Sequence, residues 1–357
     1  MKKIIITSLL TLFGLLPSFS QQTRILSADK QNDYGLVYSL PLTAFEIEIV
    51  ALKETKIAGP YYQFANKIIS DANVIKKGEI NWIIEDVRIT PYGVADGDNR
   101  YVMQLKPGAT TYIGVAEDGM LLSVNTKTSV EKPKPLKINE VEGTPTTGKE
   151  YLEYVDEDFI SAGSGLRQSQ LLGEELLEIR DSRKALSRGT AETMPTDGRQ
   201  LELMLASLEK QEKALTQAFT GNSWKERVVR KYSFMPDEEG SFVLCRLSDF
   251  NGLVDADDYS GDPVYVTVKL LEEPKVPVDA KGEEKKLPKD GVVYCIPGTA
   301  ELALNFGGKV IYSKNYPMSQ FGITFALNPS IFTDKKEPSY AIFNPTTGAL
   351  EEVGVVK

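Results

Sequence analysis

The sequence contains no histidine. The commonest general base and the commonest nitrogen ligand for metals are therefore absent. Ser-His-Asp and Cys-His nucleophilic triads are excluded, and so is zinc hydrolase chemistry of the His-Glu-x-x-His type. Cysteine is nearly absent too, with only Cys245 and Cys295. Two thiols without imidazole make a poor metal site. In an oxidising compartment the two are candidates to pair, and the alternative is a pair of small buried hydrophobes with free thiols. Basic charge is in deficit: 41 Lys and Arg stand against 50 Asp and Glu, a formal net charge of −9. An acidic chain matches the phosphate backbone of nucleic acids badly. Neither a Gly-x-x-x-x-Gly-Lys-Ser/Thr phosphate loop nor a Gly-x-Gly-x-x-Gly fingerprint occurs. The nearest glycine-rich piece, Ser161-Ala162-Gly163-Ser164-Gly165, follows acidic residues and reads as a helix entry.

What is present is an ordinary globular mixture, 41% hydrophobic and 25% charged over 357 residues. The start of the chain carries an address. Lys2 and Lys3 are followed by an apolar run from Ile4 to Leu16, then Pro17 and Ser18-Phe19-Ser20. This is the pattern of a secretory signal peptide over residues 1–20, with cleavage expected between Ser20 and Gln21. The run is too short to cross ~30 Å of hydrocarbon comfortably. Position 21 is not cysteine, which argues against a lipid anchor. Loss of the leader takes the formal charge from −9 to −11. The expected location is the periplasm or outer envelope, with no transmembrane span in the mature chain.

Beyond a flexible stretch at 21–33, the chain divides into a β-rich module with one short helix (34–130), a linker (131–160), a helical hairpin (161–221) and a second β-rich module (222–357). The second module carries a charged loop at 272–290. Phe45-Glu46-Ile47-Glu48-Ile49 alternates with period two, as a half-buried strand does. Tyr61 to Ser70 reads as the short helix. Asn81–Thr90 and Tyr101–Leu105 read as strands separated by turn residues, and Asp118-Gly119 marks a hairpin. Gln168–Ser187 and Leu201–Phe219 have helical spacing, with Gly189 and Gly221 as stops and a capping residue available in Pro195-Thr196-Asp197-Gly198. The predicted class is α+β, mostly β, with an antiparallel helical hairpin inserted between two β modules. Packing of the helices on each other and a sheet is the ordinary expectation for their apolar stripes; a docking arm for a partner is the sharper one. Order of features hints at duplication. Gly93–Asp98, Tyr101–Leu105 and Pro107-Gly108 in the first module correspond to Gly252–Asp257, Tyr265–Leu270 and Pro297-Gly298 in the second, with Asn125 and Asn315 at like offsets.

Several phrases, taken in order, resemble one known family. They are Tyr38-Ser39-Leu40-Pro41-Leu42-Thr43, Gly59-Pro60-Tyr61-Tyr62-Gln63-Phe64-Ala65, Gly93-Val94-Ala95-Asp96, Pro195-Thr196-Asp197-Gly198, Pro297-Gly298, Gln320-Phe321-Gly322 and Asn344-Pro345-Thr346-Thr347-Gly348-Ala349-Leu350. The chain resembles the secreted family designated domain of unknown function 4831 over about residues 30–355. The resemblance implies an envelope or periplasmic address and supplies no catalytic residues. Members often carry arginine where Cys295 stands, so the resemblance makes Cys295 a local departure and speaks against pairing with Cys245.

Chemistry that needs no histidine stays open. Two-carboxylate glycoside hydrolysis has candidates in Glu85 and Asp86 or Asp255 and Asp257. Asp96-x-Asp98 and Asp255-x-Asp257 offer paired oxygens to calcium, though Arg100 and Tyr259 occupy the next ligand slots. Otherwise no cofactor is implied. Tyrosine is abundant, and Tyr61 and Tyr62 are candidates to stack a sugar. The expected function is non-catalytic: an exported envelope protein that binds a protein or glycan partner through its surfaces. The alternative is a carboxylate-based glycoside hydrolase.

Overall fold

A computed structural model describes residues 22–25, 35–70, 73–104, 112–128, 140–286, 288, 291–334 and 337–356. The expected leader, its cleavage point at Ser20 and Gln21, the core of the linker and Pro107-Gly108 lie outside the described residues. The class is mostly β, α+β, with several antiparallel sheets and a helical hairpin.

The first sheet holds β1 (Gln22–Ile25), β2 (Leu36–Ile57), β3 (Glu79–Gln104), β6 (Val141–Glu142) and β7 (Asn222–Phe234), in the order β1-β3-β2-β7-β6. The second holds β8 (Gly240–Ser248), β9 (Gly252–Val254), β10 (Asp262–Glu272), β11 (Val292–Phe306) and β12 (Lys309–Leu327), in the order β12-β11-β10-β8-β9. The third is β14-β13-β5-β4, from β4 (Ile113–Val115), β5 (Leu121–Val124), β13 (Ser339–Phe343) and β14 (Leu350–Val355).

Alternation dictates what faces what. On β2, Phe45, Ile47, Ile49 and Ala51 point inward to Val264, Val266, Val268, Leu302, Leu304 and Met318 of the second sheet. The opposite face carries Glu46 and the buried Glu48, which meet Lys231 and Arg88. The earlier part of β2 enters a second core, where Tyr38 and Leu40 join Tyr101, Leu121, Tyr294, Phe325 and Phe343. β2 and β11 each contribute to both cores.

Three pairs of expected strands are single strands. Asn81–Thr90 and the described part of Tyr101–Leu105, up to Gln104, belong to β3, and the turn residues between them stay in register with β2 except at a bulge, where Ser39 pairs with Arg100 but Pro41 with Ala95. The Asp96 carboxylate accepts the backbone N–H groups of Asp98 and Asn99 there, so the turn chemistry is absorbed locally. β11 likewise continues through Pro297, and β12 joins the expected Lys309–Ser313 and Gly322–Leu327. A bulge at each point takes up the misfit.

The two β-rich stretches interlock. β7, from the second, pairs with β2 over Phe45–Ile57, and β13 pairs with β5. The segments aligned as a duplication take different forms. Gly93–Asp98 lies in β3, whereas Gly252–Val254 is β9 and Asp255–Asp257 follows it as a turn. Asn125 has a left-handed φ of 59°, while Asn315 sits inside β12 opposite Glu301.

The helices are α1 (Ala65–Ile68), α2 (Glu157–Ser161), α3 (Gly165–Arg188) and α4 (Gly198–Thr220). Ser164 and Asp197 cap α3 and α4, and Gly189 ends α3 at a φ of 70°. The base of the hairpin has its own core of Leu172, Leu176, Ile179, Leu215 and Phe219, closed by Tyr61, Tyr151 and Phe159. The stretch of α4 from Gly198 to Lys213 has no buried residue.

Candidate functional site

The expected sites are quickly placed. Glu85 sits at a bulge in β3, where Val50 pairs with Asp86 and Ala51 with Ile84. Arg227 grips its carboxylate, with Nε 2.6 Å from Oε2 and Nη2 2.9 Å from Oε1. That hydrogen bond holds Glu85 below its ordinary pKa, the opposite of what a proton donor needs. Asp86 accepts the N–H of Val87. Asp255 lies 3.7 Å from Arg230, and the Asp96 carboxylate is used by its own bulge. Among the described residues, no three His, Cys, Asp or Glu are grouped to hold a metal. Cys245 and Cys295 are both free and buried, each in a different core, so the pairing weighed from sequence does not occur in the structure. Burial pushes the thiols up to about 11 and about 12 respectively. Tyr61 is 7% exposed and donates its hydroxyl to Gln168, so it is a core residue rather than a sugar platform. Tyr62, beside it, is exposed.

A different cluster is the better candidate, and it uses the chain's only two tryptophans. It lies on the inward face of the first sheet, at the end nearest Ile57. There the pleat carries Ala51, Lys53 and Thr55 of β2 on one face. On β3, Trp82 stands opposite Lys53 and Ile80 opposite Thr55. On β7, Glu226 stands opposite Lys53 and Trp224 opposite Thr55. The bulge at Glu85 makes this possible. It changes the phase of β3, so that Trp82 and Ile84 face the same way as Val87 and Ile89.

The resulting strip is two half-buried indoles flanking an ion pair. Lys53 Nζ is 3.3 Å from Glu226 Oε2, with side chains 30% and 35% exposed. The same ammonium lies 5.9 Å from the centre of the Trp82 ring, within cation–π range. Ile80 is half exposed beside Thr55. Gly252, at a φ of 71°, opens β9 against the six-membered ring of Trp82; a Cβ there would come within 2.8 Å of it. This close approach places the β8–β9 turn beside the strip, and Phe250 in that turn is 87% exposed. Arg246 of β8 donates to the carbonyls of Ala256 and Gly261 in the following loop and stacks on exposed Tyr259 there at 4.6 Å. Thr55 Oγ1, Trp82 Nε1 and Trp224 Nε1 are buried polar atoms without a hydrogen-bond partner among the described residues. Such unmet groups cost about 1–3 kcal/mol each and call for a reason.

Chemically the strip offers apolar ring surface, one donor group, one acceptor group and no net charge. In the sequence the strip is inconspicuous, because aromatics in alternating strands are usually core. The available signal was Trp82 opposite a charged position of β2, which only the pairing register reveals.

No helix among the described residues is long and apolar enough to cross a membrane. No curated protein and no solved structure matches the chain. One family model does match, over residues 34–351, nearly the whole chain. The protein is therefore a member of the family defined by domain of unknown function DUF4831.

Proposed function

We propose that the protein is exported to the periplasm or outer envelope and acts there without catalysis, as a glycan-binding protein. The leader-like residues 1–20 support the address. The observation that carries the binding reading is the strip itself: both tryptophans share one face of the first sheet, on either side of the Lys53–Glu226 pair. Indole rings present broad apolar area against which the C–H faces of sugars pack, and the neighbouring ion pair meets hydroxyls as donor and acceptor.

Because no tryptophan lies elsewhere, intrinsic emission reports on this site alone. Mature protein mixed with insoluble cell-wall polysaccharide should sediment with it, and soluble fragments of the same material should change its emission. The W82A/W224A variant should lose about tenfold or more in affinity. Equal retention of wild type and variant would overturn the role of the strip. Cell fractionation with mass measurement of the N-terminus checks the address: the expected product begins at Gln21.

A further inference from the structure

A strand at the border of a sheet carries a row of unpaired backbone donors and acceptors, and proteins normally blunt it. β3 is such a strand. One side of it pairs with β2 along nearly its whole length, from Glu79 to Met103. Among the described residues its other side meets only β1, at Tyr101–Gln104. The direction of its open N–H groups follows from Pro91. Proline has no donor, so in the Phe45–Pro91 pair the β3 nitrogen turns away from β2. Residues of β3 on the same face share that direction. They are Ile89 and Val87 and, beyond the bulge, Ile84, Trp82 and Ile80.

From Asp86 onward this side is blunted. Asp86 Oδ1 takes the Val87 N–H at 2.8 Å, Pro91 offers none, and β1 covers the far end. Before the bulge Ile80, Trp82 and Ile84 present three outward N–H groups in a row, and Glu79, Ile80, Asn81 and Ile83 are exposed. The three groups are symmetric about Trp82. The antiparallel partner that matches them is the same stretch of a second molecule: Trp82 opposite Trp82, Ile80 opposite Ile84 and Asn81 opposite Ile83, related by a two-fold axis. Charge agrees. This register sets Lys76 and Lys77 of each copy beside Asp86 of the other, and Glu79 against Glu85, whose charge Arg227 already meets. It also brings together the two β8–β9 turns, which Gly252 seats against Trp82 and which carry the exposed Phe250.

We propose that two copies of the chain pair β3 to β3, antiparallel and centred on Trp82, so that their first sheets become one. The contact is made by backbone at the sheet border, and it does not depend on glycan binding.

Sedimentation velocity of the mature protein over about 1–200 μM tests this, and a dimer should form within that range. I80P leaves the pairing with β2 intact, because that nitrogen faces outward as at Pro91, and removes one open donor. It should weaken dimerisation about tenfold or more, and F250A should weaken it too. Crosslinking reads the register while leaving every backbone donor in place. Cys245 and Cys295 are buried, so introduced surface thiols report alone. An equimolar mixture of N81C and I83C should oxidise to a covalent dimer much faster than either variant by itself. A protein that stays monomeric throughout, a dimer indifferent to both I80P and F250A, or crosslinking no faster in the mixture would each overturn the inference.

Discussion

At the residue scale, Glu150 shows how local hydrogen bonding sets a charge. Burial pushes its pKa up. Hydrogen bonds from the Thr146 hydroxyl, the Thr147 N–H and the Thr147 hydroxyl outweigh that and bring it down from 4.5 to about 2. The folded value is below the unfolded one, so this carboxylate stabilises the fold fully above about pH 4.5. The contribution fades as pH falls toward 2. Replacing Glu150 with alanine should lower stability at pH 7 by about 1 kcal/mol, and the deficit should shrink below pH 4. Urea midpoints of wild type and variant, compared between pH 7 and pH 3, measure this; a deficit independent of pH would contradict it. Tyr61 teaches a complementary lesson. Its neighbour Pro60 and its helical spacing were legible in sequence, but its burial depends on Tyr151, Phe159 and Phe219, which are far away in the chain.

At the element scale, the informative structure is where β2 changes partners. From Phe45 onward its second edge pairs with β7. At Thr43 the partner is a side chain. Gln320 accepts from the Thr43 N–H at 3.1 Å and donates to the Thr43 carbonyl at 2.7 Å, standing in for a rung of sheet. It also donates to the Pro236 carbonyl, and Ser319 exchanges hydrogen bonds with the Thr43 hydroxyl. On the other side, Gly93 lies so close to Pro345 that a Cβ would fall 2.0 Å from its carbonyl oxygen. Q320L should destabilise the protein by about 1–3 kcal/mol by taking the Gln320 donor from the Thr43 and Pro236 carbonyls, while the Thr43 N–H keeps the Ser319 hydroxyl as acceptor. Q320E should cost at least as much, because a carboxylate would face two carbonyls that need a donor. Chemical denaturation reads both; a neutral Q320L would remove the clasp. Four of the phrases behind the family resemblance, around Thr43, Gly93, Gln320 and Pro345, therefore meet at one junction of sheets. The strands were legible by period, as at Phe45–Ile49, and the helices by caps and spacing. Strand lengths were not, because Pro91 and Pro297 look like breakers, yet Pro91 stays in register opposite Phe45 and a bulge accommodates Pro297. The Trp82 strip was hidden for the same reason: the bulge at Glu85 shifts the phase, and no local pattern announces it.

At the scale of the whole molecule, the sheets do not divide where the composition does. The sequence suggests two β modules with helices between, yet β7 completes the sheet of β2 and β3, and β13 completes that of β4 and β5. Long strands thread both cores, so neither core can open without fraying the other. Equilibrium unfolding in urea should give one transition. Tryptophan emission, which reports the end of the first sheet, should coincide with near-ultraviolet circular dichroism, to which Tyr38, Tyr101 and Tyr294 in the second core contribute. Two separated midpoints would show that the cores are independent.

The interlocking also imposes a waiting time. Ribosomes deliver the β2–β3 ribbon first, but β7 is about 120 residues later and β13 later still. Until then Ile47, Ile49 and Phe45 have no opposing layer, and the second edge of β2 offers bare amides to any neighbour. A chain paused or truncated near residue 220 would thus be sticky rather than half-functional, and its survival would depend on whatever shields it in the interval.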